Sequence, residues 1–312
     1  MSVWGFQPIK GGVPAKLSPQ SSIKVKSVSD IKIDHLQEWA ERFQVVRLTT
    51  DYQEILQDPE IEAVFICSPT TTHATLIKEA AQAGKHIFCE KPVSFSVEDT
   101  KQALEEVEKA GVKLQVGFNR RFDPNFKKLQ QIVLNGEIGD PHILKITSRD
   151  PAPPSIDYIK HSGGLFMDMM IHDFDMARYI VGSEVVTVSA VGAILVDPAI
   201  GEVGDIDTAI VTLTFENGAI GVIDNIRQAV YGYDQRVEIF GSKGMANADN
   251  NRSTTVEVST VESVSKDKPQ YFFLERYTQA YLDEVNEFAR ACEQDQEVIC
   301  SGYDGLQAEL MV

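Results

Sequence analysis

A chain of 312 residues, 43% hydrophobic and 24% charged, is long enough for two domains and has the composition of an ordinary soluble globular protein. Its net charge of -17 argues against a nucleic-acid or anionic-membrane partner, since both would repel it at long range. No stretch approaches the ~20 apolar residues of a membrane span, and no basic region followed by an apolar core marks a secretory signal, so the expected location is the cytoplasm. Cys67, Cys89, Cys292 and Cys300 form no C-x-x-C pair and read as buried free thiols of a reducing compartment.

In chain order, the segment from 23 to about 118 alternates short β-rich runs with stretches of helical period, the pattern of a parallel sheet with crossover helices. Strands are expected at 23–29, 63–67, 86–89 and 113–118, and helices at 34–43, 72–83 and 97–110. The last helix opens on the capping box Ser96-Val97-Glu98-Asp99 and stops at Gly111, which suits a left-handed C-cap. After a helix at 123–135 the character changes: runs at 185–196, 208–215, 220–227 and 236–240 fit a largely antiparallel second sheet, with Asn217-Gly218 as a hairpin turn. A helix over 163–181 is expected to pack toward the first domain, and one over 278–292 to return to it. The fold class is α/β: an N-terminal Rossmann-like parallel sheet over 1–120 and a C-terminal α/β domain over 121–312, built on a largely antiparallel open sheet.

A dinucleotide-binding βαβ unit needs a tight glycine turn after its first strand, so that backbone N–H groups and a helix N-terminus approach the pyrophosphate. With Gly5 as the first glycine of G-x-G-x-x-G, the second position is Gln7 and the third Lys10. The Gln7 side chain obstructs that approach, and Pro8 removes an amide donor. The altered letters between Gly5 and about Ser18 suggest a frameshift, a mispredicted gene start or a degenerate copy. Asp30, 25 residues after Gly5, ends the next strand. A carboxylate there accepts hydrogen bonds from an adenosine ribose and repels a 2′-phosphate, which favours NAD over NADP; otherwise it is a solvent-facing helix N-cap. Ser68-Pro69-Thr70 follow strand 63–67 at the sheet's carboxyl end, where such sheets hold ligands, although ordinary turn chemistry also explains them. His73 either caps the next helix or lines the nicotinamide site.

Two separated signals carry the chemistry: Cys89-Glu90-Lys91-Pro92 closes an apolar run, and Asp168-Met169-Met170-Ile171-His172 follows about 80 residues later on a helix-like stretch. Oxidising a secondary alcohol needs a hydride acceptor and a base for the hydroxyl proton. His172 suits the base, because an unperturbed imidazole titrates near ~6.5. Asp168, four residues earlier on the same helical face, is placed to orient it, and Lys91 to stabilise alkoxide character. An isolated D-x-x-x-H would by itself be structural.

Glu90-Lys91-Pro92 together with Gly163-Gly164-Leu165-Phe166-Met167-Asp168-Met169-Met170-Ile171-His172-Asp173-Phe174-Asp175 is a rarer combination. With it the chain resembles the glucose-fructose oxidoreductase and inositol dehydrogenase family, most closely its inositol 2-dehydrogenase branch. The resemblance runs from about Val25 to Val312 and includes Val116-Gly117-Phe118-Asn119-Arg120-Arg121-Phe122-Asp123, Gly136-Glu137-Ile138-Gly139 and Glu238-Ile239-Phe240-Gly241-Ser242-Lys243-Gly244. It implies NAD as cofactor, bound with help from Gly5, Asp30, Ser68, Pro69, Thr70, His73, Glu90 and Lys91. It also implies a catalytic triad of Lys91, Asp168 and His172, and no metal. Arg120, Asp175 and Tyr233 fall where such enzymes contact a polyol; an interdomain ion pair of Arg120 with Asp175, and a buried strand aromatic at Tyr233, are the alternatives. The implied reaction is NAD-dependent oxidation of a cyclic polyol, myo-inositol to 2-keto-myo-inositol, by a homo-oligomer, dimer or tetramer, that assembles through its open sheet. Leu310-Met311-Val312 resemble the middle of the family's final helix, and loss of the remaining turns would cost a few kcal/mol.

Other readings are a non-catalytic degenerate member and a dehydrogenase of another inositol isomer or sugar. A metal hydrolase using Asp168 and His172 lacks further closely spaced ligands, and a cysteine enzyme would rest on Cys89 alone.

Overall fold

In the computed structural model residues 24–312 are described. Gly5, Gln7, Pro8 and Lys10, with the rest of the altered stretch, lie outside the described residues. Two compact units divide the chain: one runs to Asn119 and includes Gln279–Leu310, the other is Arg120–Thr278 with Met311–Val312. The second unit is therefore not the continuous run 121–312, because the last two helices belong to the first unit.

In the first unit β1 (Ser27–Ser29) pairs in parallel with β2 (Arg47–Thr49). Next, β3 (Ala63–Ile66), β4 (His86–Glu90) and β5 (Leu114–Gly117) form a parallel sheet in that order. All of Ala63-Val64-Phe65-Ile66 are buried, as expected of a strand covered on both faces. The crossover helices are Thr70–Gln82 and Val97–Ala110. In the second, Ser96 Oγ accepts from the Asp99 amide at 3.2 Å and Gly111 takes φ 65°, so both predicted caps close the orphan groups of the helix ends. Helix Thr278–Glu293 returns to this unit because its apolar stripe completes the core: Phe288 meets Phe65 at 5.4 Å and Phe88 at 5.9 Å between ring centroids, both edge-on. Helix Gly302–Leu310 packs on helix Val97–Ala110 and β5 through bare glycines; a Cβ on Gly302 would come within 2.2 Å of Leu104.

The second unit is a six-stranded sheet: β6 (Pro141–Arg149), β7 (Val185–Ala193), β8 (Thr208–Phe215), β9 (Ile220–Ile226), β10 (Asp234–Gly241) and β11 (Gly244–Ala248), in the order β11-β10-β6-β9-β8-β7. Every pairing is antiparallel except β6 with β9. Along β8, Ala209, Val211, Leu213 and Phe215 are buried while Ile210, Thr212 and Thr214 are exposed. The predicted strand 208–215 is present with the same ends and the other three with shifted ends, whereas β6, the strand joining both halves of the sheet, has no counterpart among the expected strands. A small hairpin, β12 (Glu257–Ser259) with β13 (Val264–Lys266), follows.

Candidate active site

In the first unit the candidate residues gather at the carboxyl ends of parallel strands. Ser68, Pro69 and Thr70 turn the chain from β3 into a helix of 13 residues whose N-cap, Pro69, makes no side-chain cap; Ser68 Oγ and Thr72 Oγ1 are 2.6 Å apart. His73 lies within that helix and is only 1% exposed. Its Nδ1 is 2.8 Å from the Pro92 carbonyl and its Nε2 2.7 Å from the Ser68 carbonyl. Burial holds this imidazole below its ordinary value, against the pull of those carbonyls. A neutral ring has one N–H, so His73 donates to one of these carbonyls and lies against the other, bringing the Ser68 turn beside the Lys91-Pro92 turn.

Glu90 ends β4, and Lys91 follows it with a cis bond to Pro92. A Cβ on Gly117 would lie 3.0 Å from Glu90 Oε2, so glycine at the end of β5 makes room for that carboxyl. Burial raises Glu90, with Lys91 pulling it down. Glu284 is pushed well above the usual carboxylate range by burial and then by the charge of Glu90. The turn after Lys91 is held by Glu309, whose Oε1 accepts from the Val93 and Ser94 amides at 2.7 and 3.1 Å and whose Oε2 accepts from Thr100 Oγ1 at 2.6 Å.

Asp30 suits the ribose of a dinucleotide. Asp30, at the carboxyl end of β1, is half-buried, and its Oδ1 takes the Lys32 amide at 2.8 Å in a local turn. That presents a carboxylate at the edge where an adenosine ribose is recognised in such sheets.

In the second unit helix 163–181 is not a uniform α-helix. Phe166–Met170 is a π turn, closed by the Ile171 amide on the Phe166 carbonyl, and Ile171–Val181 continues as α. Such bulges occur frequently at functional sites because they re-aim side chains. Asp168 sits in the π turn and His172 in the first α turn. From Met169 to Arg178 every residue except His172 is buried; His172 is half-buried, with its Nδ1 on the inner side. Asp168 is also half-buried, and its two oxygens are held by Tyr158 at 2.8 Å and Arg227 at 3.2 Å.

The three residues expected to contact a polyol are each engaged within the protein. Arg120 pairs with Asp173, not Asp175, and also reaches Ser148 Oγ at 3.3 Å. Burial opposes the charge on Arg120, but Asp173, Tyr277 and Tyr233 together outweigh it and the guanidinium is held more firmly charged. Asp175 is 0% exposed and grips Arg121 through two nitrogens, Nε at 2.9 Å and Nη2 at 2.6 Å; Arg121 also lies 5.0 Å over the Tyr179 ring. Both pairs lie inside the second unit, so the expected interdomain pair of Arg120 with Asp175 is absent. Contact of Asp175 with a polyol requires Arg121 to give up part of its fork, and leaving one partner of a buried pair alone costs about 3–5 kcal/mol. Tyr233 is buried, edge-on to Tyr277 at 5.9 Å. Tyr158, Arg227, Arg121 and Glu309 were not anticipated; of these only Arg121, beside Arg120 in the quoted motif, carried a sequence signal.

The cysteine alternative meets unfavourable chemistry: burial pushes the Cys67 and Cys89 thiols well above their ordinary value, and Cys292 up to about 12. Among the described residues no three His, Cys, Asp or Glu side chains lie together so as to hold a metal ion.

Two family models match this chain: the oxidoreductase family NAD-binding Rossmann fold over residues 13–118, and the GFO/IDH/MocA C-terminal domain over residues 126–247. The chain belongs to the GFO/IDH/MocA oxidoreductases. Within them it is 65% identical to the oxidoreductase YrbE of Bacillus subtilis over 286 residues, covering 92% of this chain and 84% of that one. It is 52% identical to the myo-inositol 2-dehydrogenase of Thermotoga maritima over 285 residues, 91% of this chain and 85% of that one. Among solved structures, a myo-inositol dehydrogenase from Corynebacterium glutamicum superposes with a TM-score of 0.92 at 38% identity, covering 100% of this chain and 94% of that one. As a member of this family the chain is an NAD-dependent oxidoreductase with a Rossmann domain. Among the described residues no helix is long and apolar enough to cross a membrane.

Proposed function

We propose that this chain oxidises a cyclic polyol, myo-inositol, to its 2-keto form. The observation that carries the reading is His172, the one half-buried position in an otherwise buried helical run, with the pinned Asp168 four residues before it. Bound NAD supplies the hydride acceptor. His172 takes the hydroxyl proton as the alkoxide develops, and Asp168 orients the imidazole. Lys91 supplies an ammonium to the substrate oxygen from the turn fixed by His73 and Glu309. The polyol is assigned because the relatives described above are named for myo-inositol. Arg120, Asp175 and Tyr233 shape the polyol wall, Asp175 through its hold on Arg121.

The same reading places the protein in the cytoplasm as a homotetramer. On the open face of the second sheet Ile220, Ile143, Phe240 and Met245 are direct cross-strand neighbours on β9, β6, β10 and β11, and all four are exposed. An apolar row of that kind on an uncovered sheet marks an association surface.

The competing reading, a chain that folds without holding NAD, rests on Gln7, Pro8 and Lys10. Titration with NADH followed by fluorescence, with NADPH as comparison, decides between them. Saturable micromolar NADH binding supports the dehydrogenase; a folded chain that binds none supports the degenerate copy.

A further inference from the structure

Asp168 is held by two side chains from different elements. Tyr158, on helix Ile156–Ser162, donates its hydroxyl to Asp168 Oδ1 at 2.8 Å. Arg227, one residue beyond β9, donates from Nη1 to Asp168 Oδ2 at 3.2 Å. The two donors differ in setting: Tyr158 is 51% exposed and Arg227 1%. Burial of the hydroxyl end and the charge of Asp168 hold the Tyr158 phenol protonated, above its ordinary value of 10.0, so it is a donor across the working range.

Arg227 is itself anchored. Its Nη2 lies 3.7 Å from Asp205 Oδ2, and its amide donates to the Asp207 carbonyl at 2.9 Å. Asp205 Oδ1 accepts from the Leu165 amide at 3.0 Å. Gly164, at φ +83°, would bring a Cβ 2.9 Å from that oxygen, which accounts for glycine there: the backbone is left-handed and Asp205 lies against it. A third carboxyl, Asp150, is pushed by burial up to about 7, with Arg227 pulling it down and Asp168 pushing it further up. One cation thus serves three acids, and the start of the His172 helix is tied to the end of β9.

We propose that Tyr158 and Arg227 are positioning residues for proton transfer: by occupying one oxygen each they fix the Asp168 carboxylate in a single orientation and temper its charge, and so set how strongly His172 holds a proton. The inference rests on the reading of Asp168 and His172 as the reacting pair. The physical reason is that each donor withdraws charge from the carboxylate. With a donor removed, Asp168 favours the imidazolium more strongly and turns more freely, so His172 retains its proton to higher pH.

The test compares wild type with Tyr158→Phe, whose exposed ring makes it a mild change, and with Arg227→Lys and Arg227→Met. In Tyr158→Phe the expected result is a kcat for myo-inositol lower by roughly 10- to 100-fold, the size of one hydrogen bond to a charged group. The acid limb of the kcat/KM profile should move to higher pH, while NADH affinity and melting temperature are unchanged. Arg227→Lys should recover part of what Arg227→Met loses. An unmoved pH profile in Tyr158→Phe, or a loss matched by an equal loss of NADH affinity, overturns the inference. If wild type oxidises no polyol, the dehydrogenase reading fails by itself, and the NMR titration of His172 then decides. A midpoint raised in Tyr158→Phe upholds the positioning role; an unchanged midpoint refutes it.

Discussion

Glu309 offers a worked test of how the Lys91 turn is held. The residue is 3% exposed and accepts three hydrogen bonds, from the Val93 and Ser94 amides and the Thr100 hydroxyl. Burial pushes its carboxyl from an ordinary 4.5 up to about 7, with the Thr100, Ser94 and Val93 bonds restraining the rise. The folded state therefore binds a proton over a window in which the unfolded chain has already lost it. The stability linked to this group is fully present below 4.5 and is lost as pH climbs to about 7. At about 1.4 kcal/mol per pH unit, that difference is worth roughly 3 kcal/mol.

Glu309→Gln keeps an oxygen for both amides, can donate its amide N–H to Thr100 Oγ1, and has no proton to lose. It should therefore hold its stability between about pH 5 and about pH 8 while wild type falls by roughly 2–3 kcal/mol. Glu309→Ala instead strands two buried amides at about 1–3 kcal/mol each, and should be the least stable of the three near pH 5. Trp39 lies in the first unit, so urea unfolding followed by its fluorescence reads that unit. Equal pH slopes for wild type and Glu309→Gln, or a Gln variant no more stable than Ala, would refute the reasoning.

Three further outcomes follow from the same structure. His172→Ala should lower turnover at least ~100-fold with NADH affinity retained, as expected for loss of a general base; steady-state rates check it. Asp30→Arg should weaken NADH and improve NADPH by about 10-fold or more, because a cation replaces the carboxylate that repels a 2′-phosphate; parallel fluorescence titrations measure the ratio. Phe240→Glu, in the middle of the exposed apolar row, should shift the protein to smaller oligomers in sedimentation without lowering its melting temperature, since its side chain lies outside the core.

Much of the fold was legible because its signals are local. Ser96 and Gly111 cap their helix as the capping box and left-handed stop demand, and the alternation in β8 follows from a sheet covered on one face. β6 escaped because Lys145, Thr147 and Arg149 face the open side of the sheet among polar neighbours, so its strand character comes from its partners β9 and β10. β2, only three residues long, carries no period. The site was legible as a set of residue types but not as a network. Nothing in the spacing says that Arg120 takes Asp173 and Arg121 takes Asp175. Nor does spacing show that Glu309, 216 residues away, closes the turn at Val93. The π turn at Phe166–Met170 likewise hides in a sequence that reads as plain helix.

The proposed reaction moves a hydride from a cyclic polyol to NAD with His172 as base. The most direct measurement is the initial rate of NADH formation from myo-inositol and NAD, run beside His172→Ala on protein shown to be folded. The account predicts saturable turnover in wild type, rising with pH as the imidazole loses its proton, and nearly none in the variant. Turnover in the variant equal to wild type would contradict the proposed base, and no turnover by a folded wild type that binds NADH would contradict the assigned substrate.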